Sequence, residues 1–188
     1  PIQISHKRAG AILEATDVSR HVHLSITDDI LRQQTSSSTE LFDLASKLNE
    51  QHSMFDKEAT NTIIRLLNQS PQPIFFIGCG AEEAIDKIML LVELTGALFV
   101  TTSDAKGLIN SLHCSYRGVF GFGGHQSATD CLETNTGITV AFGASFDELS
   151  SNGWSKYLLN DSLIHVDEIP NNFLSSLMAK LHVRGHIT

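Results

Sequence analysis

A chain of 188 residues is long enough to bury one good hydrophobic core, and one main domain is expected. Its 41% hydrophobic and 18% charged residues exclude a disordered chain, and a net charge of -8 argues against a nucleic-acid partner, because phosphate binding needs a basic face. No window holds the roughly 18 uninterrupted apolar residues of a membrane helix, so no membrane partner is expected. The start, PIQISHKRAGAILEA, has neither an initiator Met nor the layout of a signal peptide, and reads as a processed or excised piece of something longer. Three widely spaced cysteines, Cys79, Cys114 and Cys131, suggest a reducing compartment without disulfides and place the chain in the cytoplasm.

Residues 6–16 have helical composition, and HVHLSI at 21–26 alternates polar and apolar like a strand, ending at Asp28 and Asp29. Nothing before them supplies the rest of a sheet, so residues 1–32 read as the C-terminal tail of a preceding domain. The serine-rich 33–40 is linker-like, and 33–72 is taken as linker with lead-in helices. Within it Leu41, Leu44, Ala45 and Leu48 make a short helical stripe. Asp56 is a plausible N-cap for a second helix that turns Ile63, Ile64, Leu66 and Leu67 inward.

Residues 73–188 form the central domain. The run IFFI at 74–77 stops at Gly78, Cys79 and Gly80, and apolar residues then recur at Ile85, Ile88, Met89 and Val92, one face of a helix. Gly96 closes that helix and residues 97–100 are a second apolar strand. This is a right-handed βαβ unit whose strands are apolar on both faces. After a loop at 103–109, the stretch GVFGFGGH at 118–125 holds four of the thirteen glycines and is expected to keep backbone close to something. A helix over 127–133, a third strand over 138–142 and a polar excursion around Trp154 follow. A fourth strand over 163–167 ends in an acid. From residue 171 the pattern suits either a helix or, at 181–184, an edge strand.

Strands alternating with helices, each strand ending in small or polar residues, predict an open, doubly wound α/β sheet of three layers. Strand C-termini in such a sheet share one edge. Gly78 to Gly80, Thr101 to Ser103, Gly143 to Asp147 and Asp167 are therefore expected to line one crevice. The glycine turn could bring backbone N–H groups to a phosphate, but Glu82 and Glu83 sit beside it, and the other reading is a tight turn that lets helix pack on strand. Asp167 could accept from a ribose, or be a loop acid or helix cap. Lys106 is read as an exposed loop residue ahead of a phosphate partner. Cys79 has no identifiable partner base, the nine histidines do not converge as zinc ligands, and no serine sits in a nucleophile elbow. No catalytic residue and no metal site is read from the sequence.

The order PIFFIGCGAEEA, ALFVTTSDAKG, GVFGFGGHQSATDCL, ITVAFGASFDE, LIHVDEIP resembles the central domain of thiamine diphosphate-dependent enzymes, the family of acetolactate synthase, pyruvate oxidase, oxalyl-CoA decarboxylase and benzoylformate decarboxylase. The resemblance covers about 73–171, and TT-x-x-AKG followed by GA-x-FD is its most specific part. RHVHLSITDDI resembles the strand closing the family's N-terminal, pyrimidine-binding domain, and LHVRGHIT the edge strand before the linker to the C-terminal, diphosphate-binding domain. It implies a mostly parallel six-stranded sheet of the DHS-like NAD/FAD-binding type, in the middle of a three-domain chain. Its partners are then the N- and C-terminal domains of the same chain, in a homodimer or homotetramer. Thiamine diphosphate and magnesium would be bound by those other domains, and this domain alone would be inactive as lyase or transferase.

The family's middle domain binds the adenine nucleotide part of FAD, or ADP, in some members and nothing in others. Carried over by position, the nucleotide contacts are Gly78, Cys79, Gly80, Thr101, Thr102, Gly143, Ala144, Ser145, Asp147, Asp167 and Glu168. The sequence departs from the FAD pattern at two positions: acetolactate synthases carry GARFDDR where this chain has GASFDEL, so Ser145 and Leu149 replace two arginines. Two cations lost beside a diphosphate, at about 1.5–3 kcal/mol per charge-assisted bond, point to an emptied or altered pocket. The alternative is a free-standing FAD- or NAD-binding domain of a flavoprotein or sirtuin-like protein. No zinc-binding cysteine pairs and no flavoprotein Arg/Ser-rich loop accompany it.

Overall fold

The computed structural model describes residues 21–23, 25–32, 57–185 and 187. The chain divides into two compact units, Pro1–Ser53 and Met54–Thr188. In the first, the described residues up to Thr27 lie in no strand, and a four-residue helix α1 (Asp28–Leu31) follows, with Arg32 Nε on Asp28 Oδ2 at 2.7 Å. The strand expected over 21–26 is therefore not found there. Strand backbone must pair to satisfy its N–H and C=O groups, and residues 21–23 and 25–27 are not in a ladder. The stripes at 6–16 and 41–48 and the cap at Asp56 lie outside the described residues.

The second unit is a six-stranded sheet in the order β3-β2-β1-β4-β5-β6, every neighbouring pair parallel. Helix α2 (Lys57–Gln69) leads into β1 (Ile74–Ile77). A 3₁₀ helix (Cys79–Ala84), α3 (Ile85–Thr95) and β2 (Leu98–Thr101) follow. Then come β3 (Tyr116–Val119), α4 (Gln126–Glu133), β4 (Thr139–Phe142) and β5 (Leu163–Asp167). A second 3₁₀ helix (Pro170–Ser176) precedes β6 (Leu181–Arg184).

Strand side chains alternate between faces, so an all-apolar β1 fits only between two layers. Ile74 and Phe76 join one core with Val100, Ala128 and Leu132; Phe75 and Ile77 join the other with Ile88, Val92 and Val140. All four β1 side chains are at most 2% exposed, each worth about 1.5–3 kcal/mol of burial. On the first face Phe76 lies edge-on to Phe120, centroids 5.9 Å apart, and tilted on Phe146 at 5.5 Å. On the second, Ile63, Leu66 and Leu67 of α2 pack as expected, whereas Ile64 is 51% exposed, off the inward face. Gly96 caps α3 at φ 66°, in the left-handed region that favours glycine.

Two elements differ from the sequence reading. The 118–125 stretch begins inside a strand, β3, and its register against β2 is broken between Phe99 and Thr101. Arg117 and Gly118, the latter at φ 105°, erase the apolar alternation that would mark it. The close approach expected of these glycines is present: a Cβ on Gly121 would lie 2.5 Å from the Leu149 carbonyl oxygen. After residue 169 the helix and edge-strand readings each hold for part of the segment, as a 3₁₀ helix and then β6.

Candidate functional site

Six parallel strands put the ends of β1, β2, β4 and β5 on one edge, which gathers most of the predicted residues. The tightest point is where the β1 turn meets the β4 turn. Gly78 N–H donates to the Phe142 carbonyl at 2.9 Å and Gly80 N–H to the Gly143 carbonyl at 3.0 Å. A Cβ on Gly78 would stand 2.2 Å from Gly143 O, and one on Gly143, at φ 58°, 2.3 Å from Gly80 C. The glycines thus let two backbone turns touch, and two of the turn's three amides are satisfied inside the fold. The helix that follows starts as 3₁₀ at Cys79, and the α-helix proper begins only at Ile85.

Beside this contact, Cys79 meets Asp104, a residue the sequence reading left in a loop and the partner it did not identify for Cys79. Burial, then the hydrogen bond and negative charge of Asp104, push the Cys79 thiol up to about 11, against backbone N–H groups that pull it down. Burial pushes the Asp104 carboxyl up too, but hydrogen bonds with Cys79 and Thr102 outweigh it and hold it below the usual range. The Thr102 hydroxyl donates to Asp104 Oδ1, and Thr102 N–H donates to the Ile77 carbonyl at 3.0 Å. An acid that keeps a thiol protonated is the reverse of a base that activates one.

Other predicted residues face inward. Thr101 is 1% exposed and its hydroxyl is 3.0 Å from the Tyr116 hydroxyl, within β2–β3. Asp167 is 2% exposed; Oδ1 accepts from Ile169 N–H at 2.7 Å and Oδ2 from Asn172 Nδ2 at 2.9 Å, the turn-capping reading of this acid. Its Oδ2 also lies 3.5 Å from Nε2 of buried His165, which makes no hydrogen bond there. Glu168 is half-buried, its carbonyl 3.5 Å from Arg184 Nε. Ala144 is buried, and Phe146 is fully buried at φ 52°. Asp147 is exposed but folds its carboxylate over its own loop, accepting from Ser150 N–H at 2.7 Å and from the Ser145 hydroxyl at 3.4 Å.

What remains open to solvent is mostly acidic. Glu82, Glu83, Asp104 and Asp147 are exposed at the strand ends, against Lys106 in the β2 loop and Arg184 at the end of β6 beside Asp167, and Ser145 and Leu149 are exposed where arginines would stand in the FAD pattern. A nucleotide diphosphate needs cations or free N–H donors, and at the β1 and β4 turns this crevice offers mostly acids, with the Gly78 and Gly80 amides already used. The residues present do not fit a diphosphate.

The family described as "Thiamine pyrophosphate enzyme, central domain" matches residues 60–188, well over half of the chain. The acetolactate synthase large subunit of Porphyra purpurea is 28% identical over 126 residues, 66% of this chain and 21% of that protein. The acetolactate synthase of Mycobacterium avium is 26% identical over 125 residues, 65% of this chain and 20% of that one. The large subunit of Cyanidium caldarium is 30% identical over 108 residues, 56% and 18%. The chain thus spans about a fifth of the length of these relatives. With the all-parallel six-stranded sheet and the glycine contact between its first and fourth strands, the match over 60–188 decides the assignment: the chain belongs to the thiamine pyrophosphate enzyme central-domain family.

Proposed function

We propose that this chain is the non-catalytic central domain of a thiamine diphosphate-dependent 2-keto acid decarboxylase or acetolactate synthase-like carboligase, and that it serves as a structural spacer. In this reading residues 1–32 are the tail of a pyrimidine-binding domain, 33–72 a linker and lead-in, and 73–188 the central domain. Thiamine diphosphate supplies the carbanion-stabilising chemistry when bound. It and magnesium sit on the N- and C-terminal domains, within a cytoplasmic homodimer or homotetramer. Among the described residues, no helix is long and apolar enough to cross a membrane.

The observation that carries the spacer role is the state of the crevice. Gly78 and Gly80 give their amides to β4 and its turn, Thr101 and Asp167 give their side chains to the sheet and its turns, and the exposed remainder is mostly acidic. A free-standing FAD- or NAD-binding domain is not favoured, since either dinucleotide would bring its diphosphate to the same acids. The reading frame separates the two. An upstream domain with a cofactor-activating glutamate and a downstream GDG…N segment are expected; a stop codon shortly after Thr188 would overturn the reading.

A further inference from the structure

At the opposite edge of the sheet, where strands begin, a cavity of about 370 Å³ opens, within the roughly 300–1,000 Å³ range of small-molecule sites. We propose that it binds a small zwitterion: a molecule of amino-acid type with a carboxylate, an ammonium group and an unbranched or lightly branched apolar chain. Ile74 and Leu98, the first residues of β1 and β2, supply an apolar wall, and Cys131 of α4 extends it. Arg117 of β3 and Asp130 of α4 supply one charge of each sign, and Asn135 a polar rim.

The two charges are held apart. Arg117 Nη1 donates to the Cys114 carbonyl at 2.8 Å and the Tyr116 carbonyl at 3.2 Å, which fixes the half-buried guanidinium without neutralising it. Among the described residues no carboxylate comes within ion-pair distance of Arg117, and its other N–H donors have no protein partner. Asp130 Oδ1 accepts from Gln126 Nε2 at 2.8 Å, which leaves Oδ2 for a donor. Arg117 and Cys131 line the same cavity, and the positive charge of Arg117 opposes the upward push of burial on the Cys131 thiol. Opposite charges and an apolar wall lining one cavity match a ligand carrying both charges and an apolar chain. A phosphate dianion would meet Asp130, and a plain hydrocarbon would leave both charges of the lining unused. The inference is independent of the crevice reading and fails or stands without it.

The test is an amide-shift titration of the protein with L-norleucine, and with hexanoate and pentylamine, which each lack one of its charges. Norleucine is expected to move the amides of Leu98, Cys131, Thr134 and Thr136 saturably while Gly78 and Gly143 stay still. Hexanoate and pentylamine should bind at least about tenfold more weakly, the loss of one charge-assisted bond. Because Arg117 also braces the turn before β3, the deciding variant is Asp130→Asn at an exposed position; it should erase the preference for norleucine over hexanoate. No saturable shift with norleucine, or equal binding of hexanoate to the unaltered protein, overturns the proposal.

Discussion

Gly143 and Gly96 share a left-handed backbone, φ 58° and 66°, yet their surroundings differ completely. A Cβ on Gly96 meets nothing within 4 Å, whereas one on Gly143 strikes the backbone of Gly80 and Ala81 at 2.3 and 2.5 Å. Gly96→Ala should therefore cost only the left-handed conformation, about 1–2 kcal/mol. Gly143→Ala adds backbone displacement and should cost about 2–4 kcal/mol. Urea unfolding of the two variants measures the difference, and equal costs would mean that the β1–β4 turn contact is not tight. The Cys79–Asp104 pair gives a second prediction at this scale. A thiol whose pKa is raised from 9.0 to about 11 is protonated in the folded protein where it would begin to ionise unfolded. Its contribution to stability is complete below about pH 9 and is lost as pH rises toward 11. Cys79 and Cys114 are both exposed, yet at pH 8 alkylation of Cys79 should be slower, because Asp104 and partial desolvation hold its thiol protonated, and Asp104→Asn should speed it several-fold. Mass-spectrometric rates per cysteine decide it. Gly78, Gly80 and Gly143 were legible as turn residues, but that they touch one another was not, because the contact joins residues more than sixty positions apart.

At the scale of elements, legibility followed burial. β1, β2, β4 and β5 are apolar on both faces because layers cover both, so composition alone marks them. β3 sits at an edge and carries Arg117 and Gly118, so its sequence reads as loop. The segment after β5 was ambiguous because short-range turn geometry, not periodicity, shapes it. Ser176 holds that segment in place. Fully buried, its hydroxyl lies 2.8 Å from His165 Nδ1 and 3.1 Å from His182 Nε2, tying the 3₁₀ helix to β5 and β6. His165 is packed edge-on between Phe146 and Phe173, centroids at 4.7 and 4.9 Å, so water cannot replace a lost partner. Ser176→Ala should destabilise by about 1–3 kcal/mol, the cost of stranding a buried polar group. Ser127→Ala, which removes an exposed hydroxyl bonded to the Arg117 carbonyl, should cost less. Comparable losses in denaturant titrations would contradict the role given to Ser176.

Across the whole molecule, the family was legible from the order and spacing of short motifs, while the state of its crevice was not. Asp167 stands at a strand end where an acid could meet a ribose, and only the turn that returns Ile169 N–H and Asn172 Nδ2 to it removes that option. The two places where arginines are missing were visible in GASFDEL, and the structure adds that Ser145 and Leu149 are exposed there beside exposed Asp147 and Glu148. The central claim is that this crevice holds no adenine nucleotide. Thermal unfolding with saturating FAD, ADP, NAD and thiamine diphosphate in turn tests it most directly. A ligand at a hundred times its dissociation constant adds about 2.7 kcal/mol, roughly 5–10 °C at this size. The account predicts no shift with any of the four; a shift of that size with FAD or ADP would contradict it and restore the crevice as a nucleotide site.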